Sequence, residues 1–129
     1  EDLKGIRILL AEDNDLNAEI AVTLLSEVGF MVERAANGVD CVEMLKDRPA
    51  GYYSIILMDI QMPVLDGYNA TINIRRMDDK AKASIPIVAM TANAFAEDRE
   101  KALSVGMNDH IAKPVDMSKL IPTIRKYIK

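Results

Sequence analysis

The chain has 129 residues, half of them apolar, with a net charge of -4 and a pI near 5.0. That is one domain's worth of chain with ample material for a core. No basic cluster suits a nucleic-acid surface, no apolar stretch approaches the roughly 20 residues that span a bilayer, and a single cysteine excludes an internal disulfide.

Short apolar runs alternate with helical patterns five times. Ile6-Arg7-Ile8-Leu9-Leu10-Ala11 predicts a strand over 6–11, closed by Glu12 and Asp13. A helix over 15–28 carries Leu16, Ile20, Leu24, Leu25 and Val28 at helical spacing and ends at Gly29. The strand over 31–36 ends in Ala35-Ala36 and offers nothing polar, and Asn37-Gly38 turns the chain into a helix over 38–48. Cys41 falls among the apolar positions of that helix and reads as a small packed hydrophobe; a lone cysteine fits a reducing cytosol. Ile55-Ile56-Leu57-Met58 predicts a strand over 54–59, closed by Asp59. Asp66-Gly67 marks a turn at the head of a helix over 65–77. Ile87-Val88-Ala89-Met90 predicts a strand over 86–91, closed by Thr91.

The helix over 95–105 is thinly apolar. Phe95, Ala102 and Leu103 are its main anchors, with five consecutive charged residues, Glu97 to Lys101, between them. Such a helix beside a charged site is a candidate moving part. After Gly106, His110-Ile111-Ala112 predicts a strand over 109–113, closed by Lys113. The last helix, over 117–128, carries Met117, Leu120, Ile121, Ile124 and Ile128, with Asp116 as its N-cap. Pro122 conflicts with that helix, because proline in a regular helix interior costs roughly 3 kcal/mol. The helix is therefore expected to begin close to Pro122 or to kink there. No linker, repeat or low-complexity tract interrupts the chain.

Regular β-α alternation with short loops predicts an α/β domain whose parallel sheet is covered by helices on both faces. In the common strand order 2-1-3-4-5, the ends of the first and third strands are neighbours. Glu12 and Asp13 then face Asp59 across the crevice, and Thr91 and Lys113 close its other side. The second strand, without a polar end, falls outside the crevice. Three carboxylates this close repel one another unless a cation compensates. An all-oxygen ligand set with open positions suits Mg²⁺, or Mn²⁺ in its place. Lys113 would pair with a phosphoryl group as a point charge, Thr91 would hydrogen-bond one of its oxygens, and Ala92 leaves room for it. Asp59 is the candidate nucleophile for an aspartyl phosphate. Taken singly, Asp13 would be read as a helix cap, Thr91 as a strand residue and Lys113 as a solvated charge. Met58, Met62 and Met90 read as core filler.

Over essentially its whole length the chain resembles a response-regulator receiver domain of two-component signalling. The matching pieces are Leu10-Ala11-Glu12-Asp13-Asn14, Met58-Asp59-Ile60-Gln61-Met62-Pro63 with Asp66-Gly67, Met90-Thr91-Ala92, and Lys113-Pro114. The resemblance implies a flavodoxin-like (βα)5 fold with residues 1–129 as a single receiver domain. It implies that Asp59 accepts a phosphoryl group from a phosphohistidine. Asp13, Asp59 and the backbone carbonyl of Gln61 would hold the Mg²⁺, with Glu12 helping through water. Thr91 and Lys113 would sense the phosphoryl group and couple it to the surface of the helix over 95–105. The Lys113-Pro114 bond would be cis. Gln61 and Asn93 flank the pocket, either orienting or blocking the hydrolytic water or standing as ordinary solvated loop residues. His110 occupies a position where many receivers carry Tyr or Phe, and it is either a switch residue or a passive surface histidine.

Glu12-Asp13-Asn14-Asp15-Leu16-Asn17, Met90-Thr91-Ala92-Asn93-Ala94 and Gly106-Met107-Asn108-Asp109 resemble receivers attached to hybrid sensor histidine kinases. The implied partners are a sensor histidine kinase domain, a histidine-phosphotransfer domain docking beside the first helix, or both. Neither direct nucleic-acid binding nor direct membrane contact is expected. The domain itself would be a phosphoacceptor with self-dephosphorylation, and enzymatic activity would lie with a parent histidine protein kinase. The opening residues show no signal-peptide pattern, and the chain begins without Met, so a fragment of a longer protein is expected. The location would be cytoplasmic, with the parent anchored in the inner membrane. Two rivals share part of this chemistry. A haloacid-dehalogenase-like phosphatase also uses Asp, Thr, Lys and Mg²⁺, but it carries its nucleophile on the first strand with a second Asp two residues later, where this chain has Gln61. A flavodoxin-like FMN carrier would need neutral phosphate-cradling groups where Glu12-Asp13-Asn14-Asp15 stands.

Overall fold

The structure, a computed structural model, describes residues 3–92, 96–113 and 115–128, the side chains of residues 96–98 excepted. Asn93, the helix anchor Phe95 and the Lys113-Pro114 bond lie outside the described residues. The strands are β1 (Arg7–Ala11), β2 (Met31–Ala35), β3 (Ile55–Asp59), β4 (Ile87–Thr91) and β5 (Asp109–Ala112). The helices are α1 (Asp15–Val28), α2 (Gly38–Asp47), α3 (Gly67–Arg75), α4 (Lys80–Ala83), α5 (Ala96–Val105) and α6 (Met117–Tyr127). All strand pairs are parallel, in the order β2-β1-β3-β4-β5.

The burial pattern follows from that order. The inner strands β3 and β4 are buried at every position, as a sheet covered on both faces requires. The edge strands β2 and β5 are only partly buried. Alternation of side chains along each strand divides the core in two. Leu9, Ile56, Met58, Ile87 and Ala89 pack on one face with Cys41 and Leu45 of α2, Ile74 of α3 and Ala102 of α5. Ile8, Leu10, Leu57, Val88, Met90 and Ile111 pack on the other with Ala18, Ala21 and Leu25 of α1 and Leu120 and Ile124 of α6. Cys41 is fully buried, and burial pushes its thiol up to about 12, which agrees with a packing role.

Three sequence expectations need adjusting. Residues 80–83, unassigned from periodicity, form the four-residue α4, capped by the side chain of Asp79. A single turn of Lys-Ala-Lys-Ala has no apolar stripe from which to read it. The helix expected over 65–77 is shorter at both ends, because Asp66 caps it and Arg76 ends it. The last helix does not begin at Pro122: it starts at Met117 and runs through the proline. Leu120 and Ile124, fully buried on either side of Pro122, hold both halves against the sheet. Burial of two such side chains, at about 1.5–3 kcal/mol each, outweighs the proline penalty. Elsewhere the strand and helix limits shift by a residue or so. Asp116 caps α6 by accepting from the Ser118 N–H, and Gly29 closes α1 in the left-handed region at φ 116°.

Candidate functional site

Parallel strands in this order present their carboxyl ends to one crevice, at the point where connections leave β1 and β3 in opposite directions. Asp59 and Thr91 are the last residues of β3 and β4, Glu12 and Asp13 follow β1, and Lys113 follows β5. These five predicted site residues therefore come together, and Gln61 lines the same cleft. Glu12, Asp59 and Thr91 are buried, whereas Asp13 stands exposed at the mouth. One carboxylate oxygen from each of Glu12, Asp13 and Asp59 lies within 4.8 Å of the others. Lys113 Nζ reaches across them, 3.0 Å from Glu12 Oε1 and 2.9 Å from Asp59 Oδ2. Its backbone N–H also donates to the Thr91 carbonyl at 2.8 Å, tying the ends of β4 and β5 together.

One ammonium does not balance three carboxylates. Burial, assisted by the Glu12 charge and opposed by Lys113, pushes Asp59 up to about 6. Burial by itself would lower Lys113, but its bonds to Asp59 and Glu12 outweigh it and hold the ammonium above its ordinary range. The group expected to act as nucleophile is thus the group most opposed to carrying its charge without a further cation.

Neighbouring elements fix these side chains. Asn14, not Asp13, caps α1 by accepting from the Asn17 N–H at 2.9 Å, so Asp13 is not consumed as a cap. The Asn14 N–H donates to Glu12 Oε2 at 3.2 Å, and the Gln61 N–H donates to Asp59 Oδ1 at 3.3 Å. Gly67 begins α3 directly against the end of β3, its N–H donating to the Ile60 carbonyl at 2.9 Å. A Cβ there would run into the Asp59 carbonyl oxygen, so only glycine lets α3 start this close to the candidate acceptor. In the same β3–α3 loop Val64 is held at φ 70°, with the Leu65 N–H donating to the Pro63 carbonyl at 2.7 Å. That tight three-residue turn strains a β-branched residue.

Three residues of the site were not singled out from sequence. Arg34 of β2 donates from Nε to the Glu12 carbonyl at 2.9 Å and from Nη1 to Asp15 Oδ1 at 2.8 Å, bracing the β1–α1 loop. The second strand does contribute to the site, one residue before the apolar end that the sequence showed. Tyr68 of α3 and Lys101 of α5 line the same cleft as Asp59, with Lys101 Nζ 4.6 Å from the centre of the Tyr68 ring. Cross-strand braces and rim pairs have no local signature, although the charged run 97–101 beside a predicted site was a signal for Lys101. His110 lies in β5 opposite Ala89, half-buried, with its backbone N–H donating to Asp109 Oδ1 at 2.9 Å. Asp109 in turn is held by Lys126 and the Tyr127 hydroxyl. His110 thus lies on the sheet face that α5 covers, its Nδ1 3.7 Å from Asp109 Oδ1.

Comparison with known proteins places this geometry. The response regulator receiver domain family model matches residues 8–125. Among curated relatives, hybrid signal transduction histidine kinase B of Dictyostelium discoideum is 42% identical over 95% of this chain and 7% of its own length. Two-component system protein A of Emericella nidulans is 41% identical over 93% of this chain and 17% of its own length. The chain therefore spans a small part of the curated relatives that it matches. Among solved structures, the receiver domain of sensor histidine kinase PA1611 from Pseudomonas aeruginosa, with a magnesium ion in its active-site cleft, superposes with a TM-score of 0.84. It is 40% identical, over 95% of this chain and 97% of that one. The receiver domain of Ssk1 from Saccharomyces cerevisiae, co-crystallised with the histidine phosphotransfer protein Ypd1, gives a TM-score of 0.87 at 32% identity, over 97% of this chain and 90% of that chain. Nothing in these matches supports the phosphatase or the flavin carrier.

Proposed function

The chain belongs to the response regulator receiver domain family, and from that premise we propose that Asp59 accepts a phosphoryl group from a phosphohistidine. The observation that carries the proposal is the buried Asp59 carboxylate held at 2.9 Å by Lys113, within a group of three carboxylates at the carboxyl end of the sheet. In the transfer, an Asp59 oxygen attacks phosphorus. The P–O bond forms as the P–N bond breaks, and the imidazole leaves with the electron pair and takes up a proton. Lys113 pairs with the phosphoryl oxygens, and the Thr91 hydroxyl hydrogen-bonds one of them. Reversal of the switch is attack by water on the same phosphorus, with Gln61 at the mouth of the cleft.

The residues fit a divalent cation. Their donors are all oxygen, and the repulsion that raises Asp59 is what a cation relieves. Asp13, Asp59 and the Gln61 backbone carbonyl would hold Mg²⁺ or Mn²⁺, with Glu12 acting through water. When bound, the metal neutralises charge between the carboxylates and the incoming phosphoryl group.

Residues 1–129 serve as one receiver unit of a longer protein, in this reading a hybrid sensor histidine kinase. The partner is a histidine-phosphotransfer domain seated beside α1. Leu16 and Ile20 expose 64% and 50% of their surface there, next to a groove that leads to Lys113. No helix among the described residues is long and apolar enough to cross a membrane, and the phosphotransfer would take place in the cytoplasm. The test is intact mass after incubation with acetyl phosphate and Mg²⁺. One added phosphoryl is expected, absent with EDTA and absent in Asp59→Asn. A wild-type chain with no adduct overturns the reading.

A further inference from the structure

We propose that Lys101 is a second phosphoryl-sensing cation, parked on the Tyr68 ring in the resting state and drawn to the phosphoryl group when Asp59 is modified. The inference rests on the receiver reading and adds to it a residue that neither the motifs nor the carboxylate geometry assigns.

The charge inventory of the cleft motivates it. Among the described residues, Glu12, Asp13, Asp59 and Asp66 line the cleft, against Lys113 and Lys101 as cations. A bound divalent metal would bring these six groups to formal neutrality. Phosphorylation of Asp59 then replaces a monoanion with a group carrying about -1.5 to -2, and the cleft is again short of positive charge. Lys113 pairs with the phosphoryl oxygens but is shared with Glu12, so it does not offset the added charge by itself. Lys101 is the remaining described lysine on the cleft wall, exposed and on a flexible stem. Its contact with Tyr68 is a cation-π pair between an exposed ammonium and a half-buried ring, which a charged oxygen can replace.

The support of α5 makes such a shift consequential. Of its described side chains only Ala102 is buried, while Leu103 is 54% exposed. Its C-terminal end is held differently: Arg75 Nε donates to the Gly106 carbonyl at 2.8 Å, and the Met107 N–H donates back to the Ala102 carbonyl. With its C-terminal end fastened in this way, α5 shifts against that anchor when Lys101, on its cleft face, is pulled. Lys101 thus links phosphoryl charge to the position of α5 without passing through His110.

The test uses the 129-residue chain with Mg²⁺ and beryllofluoride, read by backbone amide shifts of α5 and by the concentration giving half-saturation. Lys101→Met is expected to weaken beryllofluoride binding by about three- to tenfold and to shrink the α5 shifts, because a charge contact inside the cleft is lost. Lys101→Arg is expected to restore both. Tyr68→Leu, which removes the parking contact, is expected to tighten binding by about two- to threefold. An unchanged urea midpoint in Lys101→Met separates these effects from misfolding. Lys101→Met with wild-type affinity and wild-type α5 shifts overturns the proposal. A wild-type chain that ignores beryllofluoride overturns the receiver reading instead.

Discussion

The two ends of the sheet hold their charges in opposite ways. At the amino end the Arg75 guanidinium, half-buried, donates to the carbonyls of Gly106, Ala83 and Ile85 and to the Asn108 side chain, all at 2.7–2.9 Å. Glu33, midway along β2, accepts from the hydroxyls of Tyr52 and Tyr53, which precede β3 at that end, at 2.8 and 2.6 Å. The Tyr53 bond leads the causes that hold its carboxyl below the usual range. At the carboxyl end three carboxylates share one ammonium, Asp59 is raised to about 6, and Val64 is held at a strained φ nearby. Charge is satisfied where the molecule only has to hold together. It is left uncompensated where a cation and a phosphoryl group are to arrive.

The contrast can be broken most decisively at Arg75. Arg75→Met should leave three main-chain carbonyls without their donor and lower stability by about 3 kcal/mol. Its Mg²⁺ affinity should stay within about twofold of wild type, since no ligand is touched. Urea titration and a Mg²⁺ titration check the two halves. A folded variant that has lost Mg²⁺ binding would show that the two ends are not independent.

At the other end the expected sign is reversed. Asp59→Asn removes the charge most opposed by its surroundings, so the metal-free chain should gain about 1–2 kcal/mol at neutral pH while losing phosphorylation. A lower urea midpoint for this variant would mean that Asp59 is satisfied after all.

The same difference should vary with pH. The folded pKa of Asp59, about 6, lies above the unfolded value near 4. The folded state therefore holds the proton more tightly, and the stability from this group is present below about pH 4 and lost as pH rises through about 6. Without metal, wild type should fall relative to Asp59→Asn across that interval. Mg²⁺ should abolish the fall, and Mg²⁺ affinity should weaken below about pH 6 as protons compete. Parallel stability profiles for the two chains would remove Asp59 as the source.

The smallest expected effect is at Val64, 84% exposed and at φ 70°. Val64→Gly should relieve strain and raise stability by about 0.5–1 kcal/mol, read as a higher melting temperature. Destabilisation would show that the turn is held by contacts of the valine side chain.

The sequence by itself determined the alternation of strands and helices, most of their limits, and the polar residue at the end of each inner strand. Those features are local: periods of 2 and 3.6, a cap such as Asp116, a glycine such as Gly29. The motifs around Asp59, Thr91 and Lys113 also made the site legible, because strand order follows from alternation and a parallel sheet presents its chemistry at one edge. The tertiary structure alone decided the rest. It showed that α6 runs through Pro122, which two buried side chains on either side make tolerable. It brought Arg34 to Glu12, Arg75 to Gly106 and Lys101 to Tyr68, contacts between residues 22, 31 and 33 positions apart. A long-range contact leaves no periodic trace in the chain, since it depends on which faces the packed core turns toward each other.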